Sequence, residues 1–288
     1  MPSSGCRYRA RCTDEIGCIL SMRVAGRCFL RGLPLFFAAR PGTPLRVLCI
    51  MAFDTLHGLR TSQRLPIHRI RILAALLDFG ACANAAIDGK RFRPAEFCRT
   101  RQLLENAGIG LAVDEYYRQL KALESRRPCP GGDRLNYQRV RMYREEVVRL
   151  SLGILATITL GHKCLEDGIK ATCNEQDLIL LFGIVMQCQI IDDIVDYSKD
   201  AAAGLSGFLT ASESLSEAFA LTYQATRCYG SDQGTRGSVN LLPFRIALFA
   251  LTAISKLLIT LGRWRQRISF VEPLPDHTPQ PTIAVLSK

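Results

Sequence analysis

Between Thr43 and Arg267 the chain has no alternation of apolar and polar residues long enough to build a sheet, and this constrains its fold most. Apolar positions recur instead at helical spacing, segment after segment. The pattern predicts helices over Leu45–Leu59 and over Ile67–Asp88, the second opening after Pro66 and stopping at Gly89. Pro94 opens a third, which Gly108 and Gly110 end, and Leu111–Arg126 follows. The turn "RRPCPGGD" closes that segment. Leu135–His162 then reads as one long helix, Asn174 as the cap of another from Glu175 to about Ser198, and Ser212–Tyr229 and Leu241–Arg267 as the last two. The expected fold class is all-α, a single bundle of about eight or nine helices.

At 288 residues and 48% hydrophobic content the chain can bury one large core. Residues 1–40 lack periodicity and read as a basic, poorly structured extension, or as an over-long start with Met22 or Met51 as the alternative. Residues 41–270 form the helical domain, and the proline-rich residues 271–288 read as a disordered tail. A net charge of +11 favours anionic partners such as phosphorylated small molecules or an acidic membrane face. No arginine block is interleaved with stacking aromatics, so nucleic acid is not an expected partner. None of the twelve cysteines forms a CxxC, which points to free buried thiols in a reducing cytoplasm. Val147–Leu160, Leu178–Ile191 and Leu241–Leu261 are oily, and buried core helices account for them.

One stretch stands apart. "QCQIIDDIVDYSKD" sets Asp192, Asp193, Asp196 and Asp200 within nine residues, directly after a nearly uncharged run. At about 100° per residue all four carboxylates fall within roughly a third of a helix circumference. Ile190, Ile191, Ile194 and Val195 are left to anchor the other side. Such a stripe repels itself, and a helix C-terminus disfavours negative charge further. A solvated acidic helix end is the plain reading. The alternative is a cation, and hard carboxylate oxygens suit Mg²⁺.

"MQCQIIDDIVDYSKD" resembles the second aspartate-rich motif of class I isoprenoid synthases, the superfamily of trans-prenyltransferases, squalene and phytoene synthases, and class I terpene synthases. Gln189 before Asp192, Asp193 and Asp196, with Asp200 four residues on, matches the polyprenyl synthetases in particular. The resemblance spans about fifteen residues. It implies an all-α bundle around a central apolar cavity, with Mg²⁺ held between two facing acidic motifs and bridged to a prenyl diphosphate.

The upstream motif departs from that pattern, because no DDxxD precedes Asp192. "LLDFGACANAAIDGK" is the candidate, with Asp78, Asn84 and Asp88 as metal ligands beside the small residues Ala81, Cys82 and Ala85. Two isolated acids on a helix are the plain alternative. Asp114 and Glu115 rank behind them, because acids commonly open a helix. For a diphosphate, "RVRMYREE" offers Arg141 and Arg144 on one face. Arg227, Tyr229 and Lys90 are further candidates. A ladder pairing Arg141 or Arg144 with Glu145 is the structural alternative. Ser151, Gly153, Ala156, Thr157 and Gly161 permit close helix packing or leave room for an isoprenoid tail; Phe79, Phe182, Phe208 and Tyr223 could line it.

The expected chemistry is Mg²⁺-assisted ionisation of an allylic prenyl diphosphate, with Asp192, Asp193, Asp196 and Arg144 at its centre, followed by cyclisation or elimination. Two other readings stand beside it: a trans-prenyltransferase with a degenerate first motif, and a non-catalytic helical interaction protein. The expected partners are a prenyl diphosphate, a membrane surface touched peripherally, and a second copy of the chain.

Overall fold

The computed structural model of the protein describes residues 43–87, 93–231 and 241–269, together with Arg23 and Gly26. Asp88 and Lys90 lie outside these residues, as do the tail and, apart from Arg23 and Gly26, the N-terminal extension. The described residues form helices and no strand, so the chain is all-α as its periodicity predicts.

Ten helices follow one another among the described residues. They are α1 (Thr43–Thr61), α2 (Ile67–Ile87), α3 (Pro94–Asn106), α4 (Gly110–Glu124) and α5 (Arg134–Leu160). Then come α6 (Leu165–Asn174), α7 (Gln176–Val195), α8 (Tyr197–Ala202), α9 (Leu215–Gly230) and α10 (Leu242–Ser269). Local chemistry sets several boundaries. Pro94 sits in the first turn of α3, where its missing N–H is no loss. The Asp133 carboxylate accepts from the Asn136 amide and caps α5, and Gly161 ends that helix at φ 81°, a left-handed position that favours glycine. Ser214 caps α9 by accepting from the Glu217 amide.

Helix α6 overturns one expectation. Asn174 is not a cap; it is the last residue of a ten-residue helix that the periodicity did not reveal. Glu175 precedes α7 without a side-chain cap bond. Arg60 of α1 anchors this junction instead, donating to both Asp177 carboxylate oxygens at 2.6 Å and to Glu175 at 2.5 Å.

Helix α5 is the hub, packing against α1, α2, α4, α6 and α7. Phe53, Leu73, Phe79, Leu104, Met186, Ile190 and Phe208 are among the side chains sealed in the continuous core around it. Its small residues serve packing. A side chain on Gly153 would begin 2.6 Å from Ile169, and Gly168 of α6 lies against the Gly153 carbonyl and Thr157. Backbones that close leave no room for a ligand tail along this seam. Phe79 stacks on Phe97 at 4.9 Å, and Phe208 packs against Tyr137 at 6.2 Å, so these rings are core as well.

The cysteines depart from the buried expectation. All eight described ones are free, and six of them (Cys98, Cys129, Cys164, Cys173, Cys188 and Cys228) are exposed. Helix α10 departs too: its outer face carries Phe249 at 76% exposure and Trp264 at 61%.

Candidate acidic site at the end of α7

The helix that delivers the aspartates ends earlier than its sequence suggests. Helix α7 stops at Val195, Asp196 takes φ −92° and ψ 7°, and α8 begins at Tyr197. Hydrogen bonding runs through the break, since the Asp196 amide donates to Asp192 O at 2.8 Å and the Asp200 amide to Asp196 O at 2.9 Å. Clustered like charge at a helix C-terminus is a physical reason for the kink.

The four carboxylates do not share one environment. Asp193 turns inward and is 4% exposed. Its Oδ2 accepts from the Phe208 amide at 2.6 Å, and its Oδ1 accepts from Arg144 at 3.3 Å. Burial dominates its ionisation and holds the carboxyl above the usual range, against the opposing pull of Arg144 and the Phe208 amide. Arg144 also donates to Gln189 Oε1 and to Ser206 O, both at 3.0 Å. Glutamine, aspartate and arginine thus clamp the segment between α8 and α9.

That segment is tied further. Thr210 donates to Leu205 O and accepts from the Gly207 amide, and its own carbonyl accepts from the Gly131 amide at 2.7 Å. The Glu213 amide donates to Gly132 O at 3.1 Å. The turn expected from "RRPCPGGD" is therefore stitched to the loop that holds Asp193. Gly131 and Gly132 make this possible with φ of 79° and 109°.

Asp192 is exposed, and Asp196 and Asp200 are partly so. Asp196 pairs with Lys199 at 2.9 Å, an exposed contact that raises the lysine's pKa. Across α7, Ile184, Val185, Cys188, Ile191, Asp192 and Val195 fall within an arc of about 120°. Each of them is half-buried or exposed, Val195 at 70%. Ile191 and Val195 therefore share the open face of Asp192; Ile190, fully buried, anchors the opposite side as expected. Asp193 lies about 100° round from Asp192, which sends one carboxylate into the core and leaves the other outside. Cys49 of α1 lies near Cys188 on this side. Burial, with the nearby Cys188 thiol adding to it, pushes its pKa up to about 11.

The cationic candidates divide. Arg141 donates to Glu145 at 2.9 Å and to the Tyr229 hydroxyl at 3.0 Å, and that hydroxyl donates to the same Glu145 oxygen at 2.6 Å. The guanidinium lies 5.0 Å over the Tyr229 ring. Arg141 and Tyr229 are thus engaged in a closed triad with Glu145, the ladder that the spacing also allowed. Arg144 is engaged with Asp193. Arg227, two residues from buried Tyr229, is exposed on another face of α9.

The upstream acids do not act as a set either. Asp78 pairs with Arg46 of α1 at 3.1 Å, and burial lifts its carboxyl above the ordinary range. Asn84 is exposed on α2. Asp114 pairs with Arg101 at 3.0 Å, and Glu115 with Arg118 at 2.6 Å. Among the described residues no three acidic, histidine or cysteine side chains converge on one metal position.

A second feature escaped sequence reasoning. Two adjoining grooves, of about 370 and 530 Å³, run beside α4 and α5 and carry Arg118, Arg126, Arg139 and Arg149 on their walls. Arg139 and Arg149 lie about 140° round α5 from Arg144, so these grooves are separate from the acidic cluster. Arg149 is itself committed, 4.1 Å over the Phe182 ring and donating to Cys173 and Thr172 O.

The chain matches no protein-family model, no curated protein and no solved structure.

Proposed function

We propose that the protein is a Mg²⁺-dependent enzyme that ionises an allylic prenyl diphosphate and lets the cation cyclise or eliminate. One observation carries this reading: Asp192, exposed, stands at the end of the half-exposed apolar face of α7, with Asp196 one turn on. An apolar cavity between α1 and α7, bordered by Cys49 and Cys188, completes the proposal.

The donor set fits the ion. Mg²⁺ keeps several waters and is commonly bound by one or two carboxylates plus substrate phosphates, without an all-protein cage. Asp192 and Asp196 supply that number, and Asp200 follows one turn later. When bound, Mg²⁺ would neutralise charge growing on the departing diphosphate. The rest falls to the chain. Asp192 and Asp196 fix where the diphosphate sits, and exposed Arg227 offers it a guanidinium fork. Ile184, Val185 and Ile191 keep water from the hydrocarbon. Asp193 and Arg144 act as positioning residues, holding the end of α7 against the 205–210 loop.

Incubation with geranyl, farnesyl and geranylgeranyl diphosphates, with and without Mg²⁺, tests this reading through hydrocarbon and pyrophosphate analysis. The expected result is Mg²⁺-dependent pyrophosphate release with a terpene or terpene alcohol. Longer diphosphates on adding isopentenyl diphosphate would move the assignment to chain elongation. No pyrophosphate from any substrate would overturn both.

A further inference from the structure

The outer face of α10 belongs to neither the core nor the acidic site. Ile246, Phe249, Ile254, Leu257, Leu261 and Trp264 are all large, apolar and exposed, and they fall within about 140° of the helix circumference. Ala250, Ala253 and Thr260 fill the space between them. Together these side chains leave on the order of 700 Å² of apolar surface open, more than a monomer in water usually exposes in one patch.

We propose that this face seats the protein on an anionic lipid surface, with α10 lying in the plane of the interface. Charge selects this occupant. The helix contains no acidic residue at all, and Lys256 and Arg263 border the apolar arc on one margin. Apolar bodies flanked by basic side chains match the boundary between acyl chains and anionic headgroups. Trp264, near the end of the stripe, has the amphipathic ring that such boundaries favour.

The helix is long and apolar enough to cross a bilayer, as are α2 and α7, yet its inner face is committed to the bundle. Phe244, Leu248, Thr252, Ser255 and Ile259 are buried where α10 packs on α7 and α9. Gly230 and Gly262 bring the backbones close there, the first against Thr252 and the second against Phe219. A helix held this tightly along one side lies on the membrane with the other side. The inference is independent of the catalytic proposal, although a lipid-borne substrate would suit it.

The chain's single tryptophan is the natural probe. The full chain is mixed with vesicles of phosphatidylcholine alone or with roughly one-third phosphatidylserine. Co-flotation is measured alongside the emission of Trp264 and its quenching by brominated acyl chains. The expected result is flotation with the anionic vesicles, a blue shift and quenching. Lys256→Gln with Arg263→Gln should lower partitioning roughly thirty-fold, the weight of two basic side chains near a charged surface. Phe249→Ser with Leu257→Ser, both at exposed positions, should abolish flotation while leaving the circular dichroism spectrum unchanged. Three results would overturn the proposal: no flotation with either vesicle, flotation indifferent to the serine substitutions, or a lipid-free blue shift that tracks dimer formation in sedimentation. The last would give the face to a second copy of the chain.

Discussion

Asp193 Oδ2 accepts a 2.6 Å hydrogen bond from the Phe208 amide, fifteen residues along the chain, and so binds the end of α7 to the loop that precedes α9. The contact is close enough that a side chain on Gly207 would begin 2.6 Å from the same oxygen. Gly207→Ala should therefore destabilise the fold by about 1–3 kcal/mol, measured by urea unfolding.

Asp193→Asn should cost about 1 kcal/mol at neutral pH, because either orientation of the amide sets a donor against Arg144 or against the Phe208 N–H. The pH dependence has a definite sign. The native carboxyl is raised above its ordinary value by burial, so its stabilising contribution is fully present in acid. That contribution is lost as pH climbs from the usual carboxylate range through the native pKa. Denaturant titrations at pH about 4 and at neutrality should find the margin of wild type over Asp193→Asn wider in acid.

Gly168→Ala should be among the most damaging single substitutions, costing about 3 kcal/mol or more. The new methyl would enter the Gly153 carbonyl and the Thr157 hydroxyl, where the α5 and α6 backbones leave no slack. Thermal unfolding should register a loss of many degrees. Tolerance of this change would contradict the close crossing.

Arg60→Ala should cost about 2 kcal/mol, since it removes a two-pronged contact with Asp177 and a further one with Glu175. Arg60→Lys should recover only part of the loss, because an ammonium cannot reproduce the fork. Equal stability of the lysine variant and wild type would show the geometry to be unimportant.

Thiol reactivity should separate Cys49 from the exposed cysteines. With its pKa at about 11, Cys49 holds little thiolate in mild alkali, and alkylation at pH about 8.5 should spare it while modifying Cys98 and Cys129. Mass spectrometry of the digested protein reads this directly. Unfolding in urea should abolish the difference.

Much of the scaffold was legible from periodicity and punctuation. Pro94, Gly108 and the "PCPGGD" turn mark boundaries that the helices respect, and α5 falls within two residues of its expected span. Helix α6 was not legible, because "LEDGIKATCN" is short and its buried positions are Gly168, Ala171 and Thr172 beside a single leucine. The fate of Asp193 was hidden for another reason. Spacing groups the aspartates on one side, but the donor that draws Asp193 inward is a loop amide, and backbone donors leave no mark in a sequence. Ile191 and Val195 fall on the open face and not on the anchoring one, because a uniformly apolar run does not reveal which of its faces is covered. The same ambiguity made the open stripe of α10 read as core.

The central claim is that Asp192 and Asp196 hold a diphosphate through Mg²⁺. Calorimetric titration of inorganic pyrophosphate in the presence and absence of Mg²⁺, on wild type and on Asp192→Asn with Asp196→Asn, tests it most directly. The account predicts binding to wild type only when Mg²⁺ is present, and loss of that binding by at least about a hundredfold in a variant whose unfolding midpoint is unchanged. Binding that ignores Mg²⁺, or that survives both substitutions, would contradict it.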